Sequence, residues 1–109
     1  MLNHVILVGR LVEDPEVRIL ESGLSVCNIT LAVSRGFKNS NGDIEVDFIN
    51  CSLWEGIATA AAEYCKKGSI IGIKGRLITR DYVININEEE KKTIKVIEVI
   101  GERVSFIKV

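Results

Sequence analysis

The sequence predicts an all-β domain, a five-stranded Greek-key barrel with one short helix between its third and fourth strands. Apolar and polar residues alternate through residues 24–34, 44–54 and 69–82, as in strands with one buried face. The period changes once, at residues 55–67, where apolar residues recur at helical spacing. The chain has 109 residues, 47% hydrophobic and 27% charged, which fits one compact domain spanning residues 1–109.

The first predicted strand covers residues 3–12 and is apolar on both faces, so we expect both faces to be covered. Gly9 within it indicates a bulge or a close approach of two backbones. Asp14-Pro15 ends this strand. Residues 16–20 then predict a short edge piece before the second long strand, residues 24–34.

The central strand, residues 44–54, is the segment around which the chain is organised. Asn41-Gly42 between two alternating runs is a strong hairpin signal and joins this strand to residues 24–34. One face of the central strand carries a ring near each end, Phe48 and Trp54, with small polar residues between them. An outer strand face is normally polar. The two rings therefore indicate a flat surface on which another ring can stack.

The predicted helix covers residues 55–67, with Lys66-Lys67 in its last turn and Gly68 ending it. Residues 69–82 then form a strand whose Leu77 faces the core along with two isoleucines. The opposite face of that strand combines three cations with an aromatic ring: Lys74, Arg76, Arg80 and Tyr82.

Residues 83–92 predict a polar hairpin tip, and the return strand covers residues 93–100. Gly101 predicts a bulge, and extended chain follows through residues 104–109. Tyr64 and Phe106 are predicted core residues. Five strands with a helix between the third and fourth match the OB-fold, which often binds oligonucleotides or oligosaccharides.

Composition limits the possible functions. The net charge of -1 provides no global basic field, so nucleic-acid binding has to rest on local patches. Three widely spaced cysteines and a single histidine do not make a zinc site, and we expect buried free thiols in a reducing cytosol. A lone histidine, no paired carboxylates and no phosphate loop predict neither catalysis nor a cofactor. No apolar run approaches the ~20 residues of a membrane span, and no signal peptide is recognisable.

A succession of short segments resembles the bacterial single-stranded DNA-binding protein family. The matching segments are Asn3 to Arg10, Asp14 to Arg18, Asn28 to Val33, Asp47-Phe48, Lys67 to Ser69, and Gly75 to Leu77 with Thr79-Arg80. The resemblance implies an OB-fold whose subunits form a homotetramer, built from dimers, around which single-stranded DNA wraps. It also implies a cytoplasmic, nucleoid-associated protein that protects single strands in replication, recombination and repair.

Four aromatic residues are candidates for base stacking: Phe37, Phe48, Trp54 and Tyr82. By resemblance, Phe48 and Trp54 occupy the two ring positions of the family's central strand, Phe37 lies at the tip of the second strand, and Tyr82 follows Thr-Arg-x. The candidates for phosphate contact are Arg35, Lys38, Lys74, Arg76 and Arg80, with Lys66 and Lys67 as weaker ones. Simpler interpretations stay open: Trp54 as a cap over the core, Tyr82 as hairpin packing, and each cation as a solvated charge.

The first strand is also the candidate for subunit pairing, because its outer face would be exposed in an isolated small barrel. Ile6 and Val8 are candidates for a dimer contact, and His4 for a subunit contact. By resemblance, Ile49 is placed near a second interface.

Two departures from the family pattern bear on function. The flexible tail with an acidic tip, which recruits replication and repair enzymes in the family, does not follow Val109. The sequence is therefore either a shortened form or a natural variant without that role, and those partners are left open. Residues 85–92 are longer and more acidic than the family pattern. The competing hypothesis is an interaction module of the primosome type with weak nucleic-acid binding.

Overall fold

The computed structural model describes residues 1–107, which form six strands and one helix. The elements are β1 (Val5–Leu11), β2 (Arg18–Ile19), β3 (Ser25–Lys38), β4 (Ile44–Trp54), α1 (Glu55–Tyr64), β5 (Ile70–Asn85) and β6 (Lys91–Ile107). Residues 108–109 of the predicted extended segment lie outside the described residues.

The strands form one sheet in the order β1-β5-β6-β4-β3-β2. An additional pairing of β1 with β3, at Arg10↔Ala32 and Leu11↔Leu31, closes the five long strands into a barrel. β4 and β6 pair in parallel, whereas the other described pairs are antiparallel. The predicted five-stranded barrel is confirmed, with the helix between the third and fourth long strands and β2 as the short edge piece.

One face of each long strand supplies the core. Leu31, Leu53, Ile71 and Ile73 are almost fully buried, and α1 adds Ala58 and Ala61 to the same cluster. Cys27 and Cys51 are buried free thiols, as predicted, and Cys65 is half-buried. Because strand side chains alternate, this inner set fixes which residues β3 and β4 present on the outside.

Gly75 on β5 and Gly101 on β6 are paired where the register shifts, and their lack of side chains allows the two strands to approach closely. The shift lies between Lys74 and Gly75, which confirms the bulge predicted at Gly101. A Cβ at Gly75 would lie 1.9 Å from the carbonyl oxygen of Ile100, too close for any side chain. Gly9 makes the predicted close approach, since a Cβ there would lie 2.8 Å from the carbonyl oxygen of Ala32.

The helix is shorter than predicted. α1 ends at Tyr64, and Cys65 is already extended, with φ of -122°, so Lys66 and Lys67 do not lie in the last helical turn. They belong to a turn in which the Lys66 N–H donates to the Ser69 hydroxyl at 3.0 Å. The Lys67 N–H donates to a carboxylate oxygen of Asp14 at 2.7 Å. These side-chain acceptors compete with helical hydrogen bonds and end the helix early.

Predictions for the outer part of the β5–β6 hairpin were partly wrong. Leu77 is exposed, because it follows the bulge beyond which the hairpin leaves the barrel. Residues 83–92 do not form a tip, since β5 continues to Asn85, which pairs with Lys91.

Two residues predicted to lie in the core are exposed instead. They are Tyr64 and Phe106, whose rings contact each other with centroids 5.7 Å apart.

Candidate nucleic-acid interface

The outer face of β4 presents the two rings predicted for it. Phe48 pairs across the sheet with Ala32, whose small side chain leaves the ring 67% exposed. Trp54 is half-buried, and its indole N–H donates to the Ser52 hydroxyl at 3.3 Å. Ser52 is itself 2% exposed, so this hydrogen bond anchors the indole to a fixed point. One ring is therefore open to solvent, and the other is held in place.

Trp54 and Tyr82 line a shared groove of about 210 Å³. Five strands contribute to its walls, which bring together two rings, two arginines, one acid and small polar side chains. Its principal lining residues are Arg18, Asn28, Ser52, Trp54, Arg80, Tyr82 and Glu98. The closed barrel explains this convergence, since β4 pairs with both β3 and β6. Such a groove offers ring faces for stacking and donors for phosphate or base edges.

The same indole also lines a second groove, of about 400 Å³. Trp54 and Arg80 line both grooves, and Arg76 joins them in the second. The structure thus brings four of the predicted residues together: Trp54, Tyr82, Arg76 and Arg80. The two grooves share Trp54 and Arg80, and together they suit an extended chain more than a compact ligand.

Phe37 lies away from these grooves, on the hairpin that joins β3 and β4. Its ring is 67% exposed. The register shifts between Ser34 and Lys38, and Gly36 has φ of +82°, a conformation that favours glycine. Lys38 pairs with Ile44, which lies on the same outer face of β4 as Phe48. Alternation along the strand therefore directs Phe37 to the opposite face of the hairpin.

Arg35 is engaged by two carboxylates of β4. Its guanidinium donates to Asp47 in a bidentate arrangement, at 3.0 Å from Nε and 2.9 Å from Nη2, and also pairs with Glu45. The hydrogen bond from Arg35 lowers the pKa of Asp47, and the same contact raises the pKa of Arg35. Phosphate contact by Arg35 requires exchange of these carboxylates for the phosphate.

Arg80 is likewise paired. Its Nε donates to Oε1 of Glu98, the acid that lines the Trp54–Tyr82 groove. The Glu98 side chain is only 15% exposed, whereas Arg80 is 41% exposed, so the carboxylate is the deeper member of the pair. Burial, together with the charge of Glu98, raises the pKa of the neighbouring Cys51 thiol to about 12. That thiol is therefore inert as a nucleophile near neutral pH.

The remaining candidate cations lie on four different parts of the surface. Within residues 1–107, Lys38, Lys74 and Arg76 have no acidic side chain within 4.0 Å. Lys74 has Ile6 and Arg103 as cross-strand partners, so it borders the β1 face. Lys66 and Lys67 line a separate groove of about 340 Å³ with Arg10.

The candidate subunit-contact residues divide between two environments. Ile6 and Val8 are exposed on the outer face of β1, and His4 is exposed just before that strand. Ile49 instead lies on the inner side of β4, where it packs against the core cluster. The structure therefore brings three of these residues to one surface and places Ile49 elsewhere.

Sequence reasoning did not single out Arg18 and Glu98 as site residues. Arg18 reaches the groove from β2, which pairs with β3 at Arg18↔Val26, and Glu98 reaches it from β6. Only the strand register reveals either placement. Across residues 1–107, no group of three or more histidine, cysteine or acidic side chains could hold a metal ion. Within the same residues, no helix has the length and hydropathy needed to cross a bilayer.

Comparison with known proteins gives a consistent result. The sequence profile described as the single-strand binding protein family matches residues 2–107. The chain is 46% identical to single-stranded DNA-binding protein B of Bacillus subtilis over 98% of this chain and 91% of that protein. It is 48% and 47% identical to the single-stranded DNA-binding proteins of Halalkalibacterium halodurans and Bacillus cereus, again over 98% of this chain. It spans 61% of the length of each of those two relatives.

Proposed function

The chain belongs to the single-strand binding protein family, and we propose that it binds single-stranded DNA without sequence preference. The observation that carries the proposal is the pair of grooves that share Trp54 and Arg80, which combine ring faces with arginines. The family relationship supports the same ligand, because relatives with 46–48% identity are named for it. The interaction-module alternative is not favoured.

Stacking provides the sequence-independent part of the binding. Every base has a π-face, and each stacked base contributes roughly 1–3 kcal/mol as judged by alanine substitution. Trp54 and Tyr82 stack bases within their shared groove, and Phe48 stacks one on the open face of β4. Phe37, whose side chain is exposed at the β3–β4 hairpin, extends the path beyond Phe48.

Phosphate contacts provide the salt-dependent part. Lys38, Lys74 and Arg76 can bind phosphates directly, because no acidic side chain of residues 1–107 forms an ion pair with them. Arg35 contributes only when Asp47 and Glu45 release it. Lys66 and Lys67 extend the cationic path along the groove beyond the helix. Few cations within residues 1–107 are free and the net charge is -1, so we expect a salt slope that corresponds to only a few phosphate contacts and no tight binding at high salt.

Self-association complements DNA binding in this proposal. The exposed apolar side chains Ile6 and Val8 on β1 support a dimer contact, with His4 at its margin. We propose a homotetramer built from such dimers, because wrapping of DNA requires several binding faces. Ile49, which packs against the core beneath β4, is proposed to lie near a second interface. The expected setting is the bacterial nucleoid in the cytoplasm, in replication, recombination and repair, and the role requires no catalysis.

A direct binding assay tests this function. A fluorescently labelled oligo-dT is titrated with protein at low and moderate salt, and its anisotropy is followed with unlabelled duplex as competitor. We expect saturable binding that weakens with salt and resists the duplex. Binding that duplex displaces as readily as single-stranded competitor would contradict the proposal. Light scattering at the same protein concentrations measures the mass, and a mass of one subunit would contradict the tetramer.

A further inference from the structure

The Arg80–Glu98 ion pair occupies the groove that Trp54 and Tyr82 line, although a groove that binds a polyanion would gain from an unneutralised arginine. Glu98 pairs in register with Ile78, and Arg80 lies two residues further along β5, on the same face. The carboxylate therefore points into the groove with the arginine and does not face the opposite side of the hairpin.

Burial keeps this pair together. The Glu98 side chain is only 15% exposed, so little water is available to solvate its carboxylate in place of Arg80. A half-buried carboxylate that loses its cation is left with an uncompensated charge, which costs more than the pair itself contributes. Because of this cost, Arg80 stays with Glu98 when a DNA strand enters, and a phosphate does not displace the carboxylate.

We propose that Glu98 limits the affinity of this groove for single-stranded DNA, because it converts Arg80 from a phosphate-binding cation into half of a neutral pair. The inference rests on the proposed function and assigns a role to a residue within that site. In the pair, Arg80 can contact bases and can help to position Tyr82, the next residue on the same face of β5. It adds little to the release of counterions from the DNA. The free cations elsewhere on the surface set the salt dependence.

Four proteins test this inference: the unchanged chain, Glu98→Gln, Arg80→Gln and the double variant. Each is titrated with the labelled oligo-dT between 50 mM and 200 mM salt. Glu98→Gln frees Arg80, so we expect tighter binding and a salt slope steeper by about 0.7, the value for one added phosphate contact. Its advantage over the unchanged chain should then shrink by about 2.5-fold across that fourfold salt range.

The other two variants test the neutrality of the pair. Arg80→Gln leaves the carboxylate alone in the groove, so we expect the weakest binding and the shallowest slope. The double variant restores a neutral groove, and we expect its affinity and slope to match those of the unchanged chain. If Arg80 contacts phosphate itself, the double variant will bind more weakly than the unchanged chain and with a shallower salt slope, which would overturn the inference.

Asp81→Asn is the matched control. Asp81 belongs to the same hairpin but lies on the opposite face, where its carboxylate is 4.0 Å from the Lys95 ammonium. Asp81→Asn removes one negative charge, as Glu98→Gln does. An equal gain in affinity from both variants would mean that the change in net charge, and not the groove, is responsible. Glutamine keeps the size of Glu98, and a cooperative thermal transition verifies that each variant folds, with Arg80→Gln expected to melt lower because its carboxylate is unpaired. If the unchanged chain binds no oligo-dT, the proposed function itself fails; equal binding by all four proteins overturns only this inference.

Discussion

Replacement of Phe48 by alanine separates binding from stability more cleanly than any other change on this surface. The ring is 67% exposed, so about one third of it contributes to folding. Full burial of a phenylalanine stabilises by roughly 1.5–3 kcal/mol, which leaves about 0.5–1 kcal/mol to be lost from the free energy of unfolding. Removal of one stacked base costs about 1–3 kcal/mol of binding, or about 5- to 150-fold in Kd.

Two further variants make this prediction specific. Phe48→Leu keeps an apolar side chain but has no π-face, so we expect it to bind as weakly as the alanine variant. Phe106→Ala removes a partly exposed ring that contacts Tyr64 and lines a different groove, so it should bind oligo-dT as the unchanged chain does. Anisotropy titration gives Kd and thermal melting gives stability. A Kd for Phe48→Ala within twofold of the unchanged value would refute the stacking role.

Three other perturbations address the fold. Gly75→Ala places a Cβ 1.9 Å from a backbone carbonyl oxygen, so we expect a loss of about 3 kcal/mol in urea unfolding. Gly56→Ala is its control, since a Cβ there meets nothing within 4 Å, and an equal loss would contradict the steric argument. The raised pKa of Cys51 means that the unfolded thiol ionises first, so stability should fall as pH rises from 9 towards 12. A Cys51→Ala variant should show a smaller fall, and an identical pH profile would contradict this origin. The pKa of Asp47 is lowered, so its stabilising contribution is present above its unfolded pKa and is lost as the pH falls. The Asp47→Asn variant should therefore lose less stability on acidification than the unchanged chain does. An identical dependence of the free energy of unfolding on acidic pH would contradict this origin.

Local patterns predicted most of the architecture. Alternation, the Asn41-Gly42 turn and the glycines each depend on neighbours in the chain, so the strands, the hairpin and the bulge at Gly101 were confirmed. The end of the helix was wrong because Asp14, distant in sequence, accepts a hydrogen bond from the Lys67 N–H. Leu77 was wrong because alternation cannot reveal where a hairpin leaves the barrel.

The candidate site could likewise be predicted only in part. The rings of Phe48 and Trp54 were predictable because they lie on one face of a single strand. The partners of Arg35 and Arg80 were not, because both ion pairs join different strands and depend on register. Arg18 and Glu98 reach the groove from β2 and β6, which only closure of the barrel brings near Trp54. The number of Lys and Arg residues in a sequence therefore overstates the number of cations available to a ligand.

The central claim is that single-stranded DNA stacks in the grooves beside Trp54. This chain contains one tryptophan, so its intrinsic fluorescence reports on that position alone. Titration with a long oligo-dT at low salt should quench the emission strongly and to saturation, moderate salt should shift the curve to higher oligonucleotide concentration, and duplex DNA should have no effect. Unchanged emission while anisotropy shows that the same oligonucleotide is bound would contradict the claim.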